Sequence, residues 1–280
     1  MIPIALFLTT VLIIGGTVWG FNNPQIKEWW IFDKFRILSF REYYRLVSSA
    51  FLHADYQHLG FNVVGLVLFG ETLEQLAGWW AFLLIFFLSV IGGSLASLYF
   101  HRADDEYIAL GASGGVLGVI FGSLQLAGSS VSSLFTPGLS IPAPLFAAGY
   151  LAVSYIAMRR RIENVGHAAH IGGAATGFLT LIIINPESIS RNPTFFWTMI
   201  GMATLALIYH FWHSQISNLL SIIRNEKPKR SLRDQDYDQA LEMGELKREL
   251  DHLLDKVSAS GMKSLTPKEE KRLRDLSEKL

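Results

Sequence analysis

Ser113 and His170 are the residues of this sequence best suited to chemistry, because each is polar and stands inside an apolar stretch, where a polar side chain is costly and usually has a task. A hydroxyl beside an imidazole can lose its proton as it attacks a carbonyl, and the imidazole can hand that proton to the leaving amine. His58 and Asn62 form a second polar pair. Four residues apart, they share one helical face, and both can donate hydrogen bonds to a developing oxyanion. Each has a bland competitor. A serine in a membrane helix commonly bonds to a carbonyl one turn back, and glycine-rich helix faces serve packing more often than catalysis. His53 and His167 lie at segment edges and read as interfacial; His210, beside Trp212, reads as an interface anchor. His53, His58, His167 and His170 could supply nitrogen ligands to a metal, but no HExxH and no matching carboxylate accompany them, so neither a metal nor another cofactor is expected. No Asp or Glu in the apolar stretches is placed to orient His170. The unit read from the residues is therefore a dyad of Ser113 and His170.

The elements that must position these groups are membrane-length helices. Of 280 residues, 50% are hydrophobic and only 17% charged, a combination rare in soluble domains. The formal net charge is zero, which gives no footing for a nucleic-acid partner. The absence of cysteine excludes disulfides, thiolate zinc sites and a cysteine nucleophile. About 20 apolar residues cross a bilayer as a helix, and seven stretches qualify as candidates: 3–21, 57–78, 80–100, 114–128, 143–158, 168–184 and 195–213. The first lacks a basic leading region and a small-x-small cleavage site, so it reads as a retained helix rather than a signal peptide. Glu71 and Glu74 require the end of the second stretch to reach an interface. Consecutive spans alternate in direction, so the second, fourth and sixth begin at one membrane face. That parity puts His58, Asn62, Ser113 and His170 in one layer. Gly114, Gly118 and Gly122 on the fourth stretch, and Ala169, Gly173 and Gly177 on the sixth, repeat at four-residue intervals. Such stripes let backbones approach closely in lipid, bringing Ser113 and His170 within hydrogen-bond reach.

Between the spans, residues 22–56 form a long aromatic-rich loop suited to the headgroup layer, with a short helix expected around 41–51. Residues 101–112 make an acidic loop, and the Ser/Pro/Gly-rich residues 129–142 make a turn. Beyond residue 213 the sequence changes character. Leu246, Leu250, Leu253, Leu254 and Val257 recur at helical spacing, Gly261 stops that helix, and Thr266-Pro267-Lys268-Glu269 carries a capping box with proline at the first helical position. This predicts a small extramembrane helical hairpin, read as a regulatory or partner-binding appendage without chemistry of its own.

On these residues the sequence resembles the rhomboid family of intramembrane serine proteases. Gly111-Ala112-Ser113-Gly114 is similar to the family's GxSG element, AHIGGAATG (169–177) to its histidine helix, and HLGFN (58–62) to its HxxxN element. YYRLVSSAFLH (43–53) resembles the Trp-Arg segment of the first loop, with Tyr44 and Arg45 in those places. The likeness covers residues 1–185. It implies Ser113 as nucleophile, His170 as base, His58 and Asn62 as oxyanion donors, and cleavage of transmembrane proteins in or near their membrane helix. It also implies that residues 143–158 form a lateral gate and 159–167 a cap. Leu117 stands where many relatives carry an aromatic that stacks on the histidine, which implies a less firmly held His170.

The expected architecture is an all-α polytopic membrane protein. A rhomboid-like six-helix core (1–185) is followed by a seventh transmembrane helix (186–213) and a polar helical tail (214–280). The expected partners are the lipid bilayer and transmembrane substrates, with a protein partner as the candidate role of the tail, and a bacterial plasma membrane is the expected location. The resemblance puts the N-terminus in the cytoplasm. Arg159–Arg161 and the basic residues Arg224, Lys227, Lys229 and Arg230 pull against that orientation. The competing reading is a catalytically silent relative that binds or escorts membrane helices; a channel would need polar groups spread along a path rather than gathered at one depth.

Overall fold

The computed structural model describes residues 3–128, 130–132, 140–160, 166–223, 246, 249–258 and 261–279. The chain divides into two compact units, Met1–His210 and Phe211–Leu280. In chain order the helices are α1 (Ile4–Asn22), α2 (Pro24–Trp30), α3 (Lys34–Ser39), α4 (Arg45–Ser48), α5 (Tyr56–Ala77), α6 (Trp79–Phe100), α7 (Ser113–Ala127), α8 (Ala143–Arg159), α9 (His167–Ile184), α10 (Ser188–Arg191) and α11 (Pro193–Ile223). Among the described residues, α1, α6 and α9 are long and apolar enough to cross a membrane, and α7 and Pro193–Tyr209 of α11 are shorter apolar helices.

Local chemistry sets the ends of α5. The Asp55 carboxylate accepts the His58 backbone N–H at 2.7 Å, a capping bond for an otherwise unpaired donor. Gly78, at φ 90°, ends the helix. The acidic residue near that end has a structural task. Glu74 accepts the backbone N–H groups of Ala5 (3.0 Å) and Leu6 (2.7 Å), capping the start of α1 where the helix dipole favours negative charge.

α7 lies at the centre, with residues 114–126 all buried, as expected for a helix that is apolar all round. The glycine stripes of α7 and α9 meet. A Cβ at Gly173 would fall on the Gly114 backbone, and one at Gly177 on the Gly118 backbone. A third helix shares this contact, which the two-stripe reading did not include. On α6, a Cβ at Gly93 would lie 2.7 Å from the Ala169 carbonyl oxygen, and Ser89 presses on Gly118.

The chain is mostly helical, as expected, and its loops add two short strand pairings. Phe32–Asp33 (β1) pairs antiparallel with Ile108–Ala109 (β2), and Ser130–Ser132 (β3) with Ser140–Pro142 (β4). The first pairing ties the long loop to the segment that leads into Ser113. That loop is well folded. Arg45 is fully buried and donates to the carbonyls of Glu28 (2.7 Å) and Ile31 (2.9 Å) while pairing with Glu42. Lys34 joins Asp105 and the Arg102 carbonyl. The expected short helix around 41–51 is α4 followed by a 3-10 turn at Ser49–Phe51. Most of the turn expected at 129–142, Arg161 of the basic cap, the basic run 224–230 and the His210 side chain lie outside what the structure describes.

In the second unit, residues 249–258 are helical, Gly261 adopts φ 75°, and a second helix runs over Pro267–Lys279. Leu253 and Leu276 are buried, whereas Leu254 is exposed, so only part of the leucine stripe is covered. The capping box closes as the sequence predicts. Thr266 N–H donates to Glu269 Oε2 (2.8 Å) and Glu269 N–H to Thr266 Oγ1 (3.3 Å). Arg272 forks onto Glu249, and Lys256 reaches Glu269.

Candidate active site

Ser113 is the first residue of α7, and His170 lies in the first turn of α9. Ser113 Oγ is 2.8 Å from His170 Nε2. The close α7–α9 packing sets this distance, because Gly114, next to Ser113, is in backbone contact with Gly173, one turn on from His170. Ser113 is half-buried and His170 buried. As the opening residue of α7, Ser113 also presents a backbone N–H with no carbonyl partner inside the helix, at the positive end of the helix dipole.

The other ring nitrogen of His170 has a partner the sequence reading missed. Tyr150 Oη of α8 is 2.9 Å from Nδ1, and its ring stacks against Phe146. The weakly held His170 implied by Leu117 is therefore corrected: the imidazole is gripped from the α8 side. A tyrosine within an apolar helix gives no sign of this role in sequence, since periodicity identifies a face and not the atom it touches.

His58 sits against the loop before the serine. Gly111 has φ 128°, and a Cβ there would lie 2.7 Å from His58 Cε1. Both the backbone angle and the imidazole require glycine at this place. Asn62 is buried, but its Nδ2 donates to the His58 carbonyl at 2.9 Å. The amide is thus turned to its own helix rather than towards Ser113.

His53 is not interfacial, contrary to expectation. It is only 2% exposed. Ala112 N–H donates to His53 Nε2 (3.4 Å), which leaves Nδ1–H to donate to Thr17 Oγ1 (2.8 Å), whose proton goes to the Phe51 carbonyl (3.2 Å). Burial, with the adjacent His58 ring, pulls the His53 pKa down to about 3. The neutral tautomer that this chain of bonds needs is therefore the resting one at neutral pH. His53 links α1 to the residue preceding Ser113. His167 is half-buried, with its ring centroid 5.9 Å from that of His170. Among the described residues, no group of three or more His, Cys, Asp or Glu could hold a metal ion.

A family model described as Rhomboid domain matches residues 41–187, just over half of the chain. The chain belongs to the rhomboid family. A second model, for a family of unknown function, matches residues 234–279. RHOMBOID-like protein 1 of Arabidopsis thaliana is 32% identical over 173 residues, covering 60% of this chain and 42% of that protein. The mitochondrial Rhomboid protein 1 of Saccharomyces cerevisiae is 30% identical over 176 residues, 60% of this chain and 50% of its own. Rhomboid protease GluP of Bacillus subtilis is 31% identical over 139 residues, 49% of this chain and 25% of its own. The chain thus spans half or less of each of these rhomboid relatives. The matched domain contains His53, His58, Asn62, Ser113, Tyr150 and His170. As a rhomboid, it is an integral, multi-pass membrane protein.

Proposed function

We propose that this chain is an intramembrane serine endopeptidase that cuts transmembrane proteins in or near their membrane-spanning helix. The observation that carries this reading is the 2.8 Å contact between Ser113 Oγ and His170 Nε2 at the heads of two packed helices. In the proposed reaction, Nε2 removes the hydroxyl proton as Oγ attacks the scissile carbonyl carbon. The resulting tetrahedral oxyanion collapses, the C–N bond breaks, and the proton on Nε2 passes to the leaving amine. Water, deprotonated by the same nitrogen, then bonds to the acyl carbon, the bond from that carbon to Oγ breaks, and Nε2 returns the proton to Oγ. The Ser113 N–H is the oxyanion donor best prepared for this step. His58 is the second, and Asn62 joins after its amide turns from the His58 carbonyl. One such donor is worth roughly 3–4 kcal/mol of barrier.

The proposed layout keeps a rhomboid core at 1–185, made of six spans on α1, α5, α6, α7, α8 and α9, with α11 as a seventh span through 186–213 and the tail at 214–280. Three of these helices have full membrane length and hydropathy; neighbouring protein, rather than lipid alone, shelters shorter ones. The N-terminus is assigned to the membrane face opposite the dyad, and α8 to the side where substrate enters. The relatives come from plants, a yeast mitochondrion and a bacterium. This range lends no support to the bacterial plasma membrane expected from sequence, and no particular membrane is assigned.

The test is cleavage of a model transmembrane substrate by the full chain in liposomes. Ser113→Ala should abolish cleavage. Undiminished cleavage by that variant contradicts the proposal, and a wild-type chain that binds the substrate but never cuts it favours a silent helix-binding relative.

A further inference from the structure

We infer that Tyr150 is a positioning residue of the dyad, holding His170 in the tautomer whose Nε2 is free to take the Ser113 proton. The inference rests on the protease reading for its purpose, but on independent geometry for its substance.

Neutral imidazole carries its proton on one nitrogen only, and the hydrogen bond at the other nitrogen selects which. His170 Nδ1 is 2.9 Å from Tyr150 Oη, and His170 Nε2 is 2.8 Å from Ser113 Oγ. Two proton arrangements fit these distances. In one, Nδ1–H donates to the phenol oxygen and the serine hydroxyl donates to Nε2. In the other, the phenol donates to Nδ1 and Nε2–H donates to the serine. The second blocks proton abstraction. It also leaves the Ser113 proton without an acceptor, because among the described hydrogen bonds Ser113 Oγ has no partner besides Nε2. The first arrangement gives the serine proton its acceptor and leaves the phenol proton for Ser154, the other side-chain hydrogen-bond partner of Tyr150, so the geometry favours Nδ1–H.

A phenol is also the chemically apt group for this place. In serine hydrolases with a triad, a carboxylate orients the base. His170 lies among membrane-length apolar helices, and an ionised carboxylate buried there would be expensive. A neutral oxygen acceptor fixes the tautomer without adding a charge, although it stabilises the imidazolium less. Tyr150 is itself held: its ring stacks on Phe146 at 6.1 Å and meets Phe121 edge-on at 6.4 Å. These contacts restrict where the phenol oxygen can go, so the acceptor is built in rather than recruited.

The experiment is ¹⁵N NMR of the full chain in lipid with labelled histidine, the His170 signals being identified by their loss in His170→Gln. It is paired with steady-state cleavage of a membrane substrate. Wild type should carry its His170 proton on Nδ1. Tyr150→Phe, which keeps the ring, should move population to Nε2–H and lower kcat about three- to tenfold, the worth of one neutral hydrogen bond, with KM unchanged. Wild-type protonation at Nε2, or an unchanged tautomer in Tyr150→Phe, overturns the inference; the first needs no variant to fold. Because the tautomer is read without turnover, a chain that cleaves nothing yet shows the Nδ1–H signal and its shift refutes the protease reading and upholds this one.

Discussion

At the scale of single residues, the site depends on how closely two side chains and one turn are held. Ser113 and His170 could be read from sequence because each violates the apolar pattern around it and parity puts both at one depth. Gly111 shows how little freedom surrounds them. Its φ of 128° and the His58 ring against it exclude a side chain. Gly111→Ala should therefore shift the turn that carries Ser113. Small displacements of reacting groups cost on the order of 100-fold in rate, so kcat/KM of the variant should fall by about that factor while the protein still inserts in membranes. His53 and Tyr150 were not legible. Nothing in their spacing separates a buried hydrogen-bonded ring from an interfacial one, since the partners, Thr17 and His170, lie 36 and 20 residues away in sequence.

Between elements, packing of α6, α7 and α9 sets the Ser113–His170 distance on which the proposed chemistry depends. The four-residue stripes announced that α7 and α9 touch, but the contact of α6 with the same pair went unread, because its own four-residue stripe, Ser89, Gly93 and Ser97, holds a single glycine between two serines. Gly173→Val would push the Gly114 backbone away. Overpacking of this kind costs about 1–3 kcal/mol, so the detergent or thermal unfolding midpoint should drop and cleavage should fall with it. The tail hairpin has a separate electrostatic lock. Lys256, followed by the two Thr266 donors, lowers the Glu269 pKa from 4.5 to about 2. A carboxylate held down in the folded form stabilises above its unfolded pKa and stops doing so as pH falls through the folded value. The second helix should thus fray progressively from about pH 4.5 towards about pH 2. Amide exchange at Thr266 and Glu269 in the full chain, corrected for intrinsic rates, should accelerate over that window, and Glu269→Gln should exchange faster at neutral pH. The hairpin was readable because its signals are local: a capping box, a stop glycine and a helical period. The β1–β2 and β3–β4 pairings were not, since two- and three-residue strands carry no period.

For the molecule as a whole, the fold gathers His58, Ser113 and His170 at one end of α5, α7 and α9, while the buried Gln125 at the other end of α7 is spent on the Ser188 carbonyl. Glu74 at the opposite end of α5 serves another end of the structure, capping α1. Sequence resolved this arrangement well because bilayer length and alternation of direction leave few ways to order the helices. It resolved side-chain partners poorly because those depend on ångström-scale offsets between helices. The central claim is that His170 activates Ser113. Mass spectrometry of the intact chain after exposure to a serine-directed fluorophosphonate tests it most directly. One adduct, mapped to Ser113 in wild type and absent in both Ser113→Ala and His170→Gln, is the predicted result; equal labelling in His170→Gln, or no labelling of a folded wild-type chain, would contradict it.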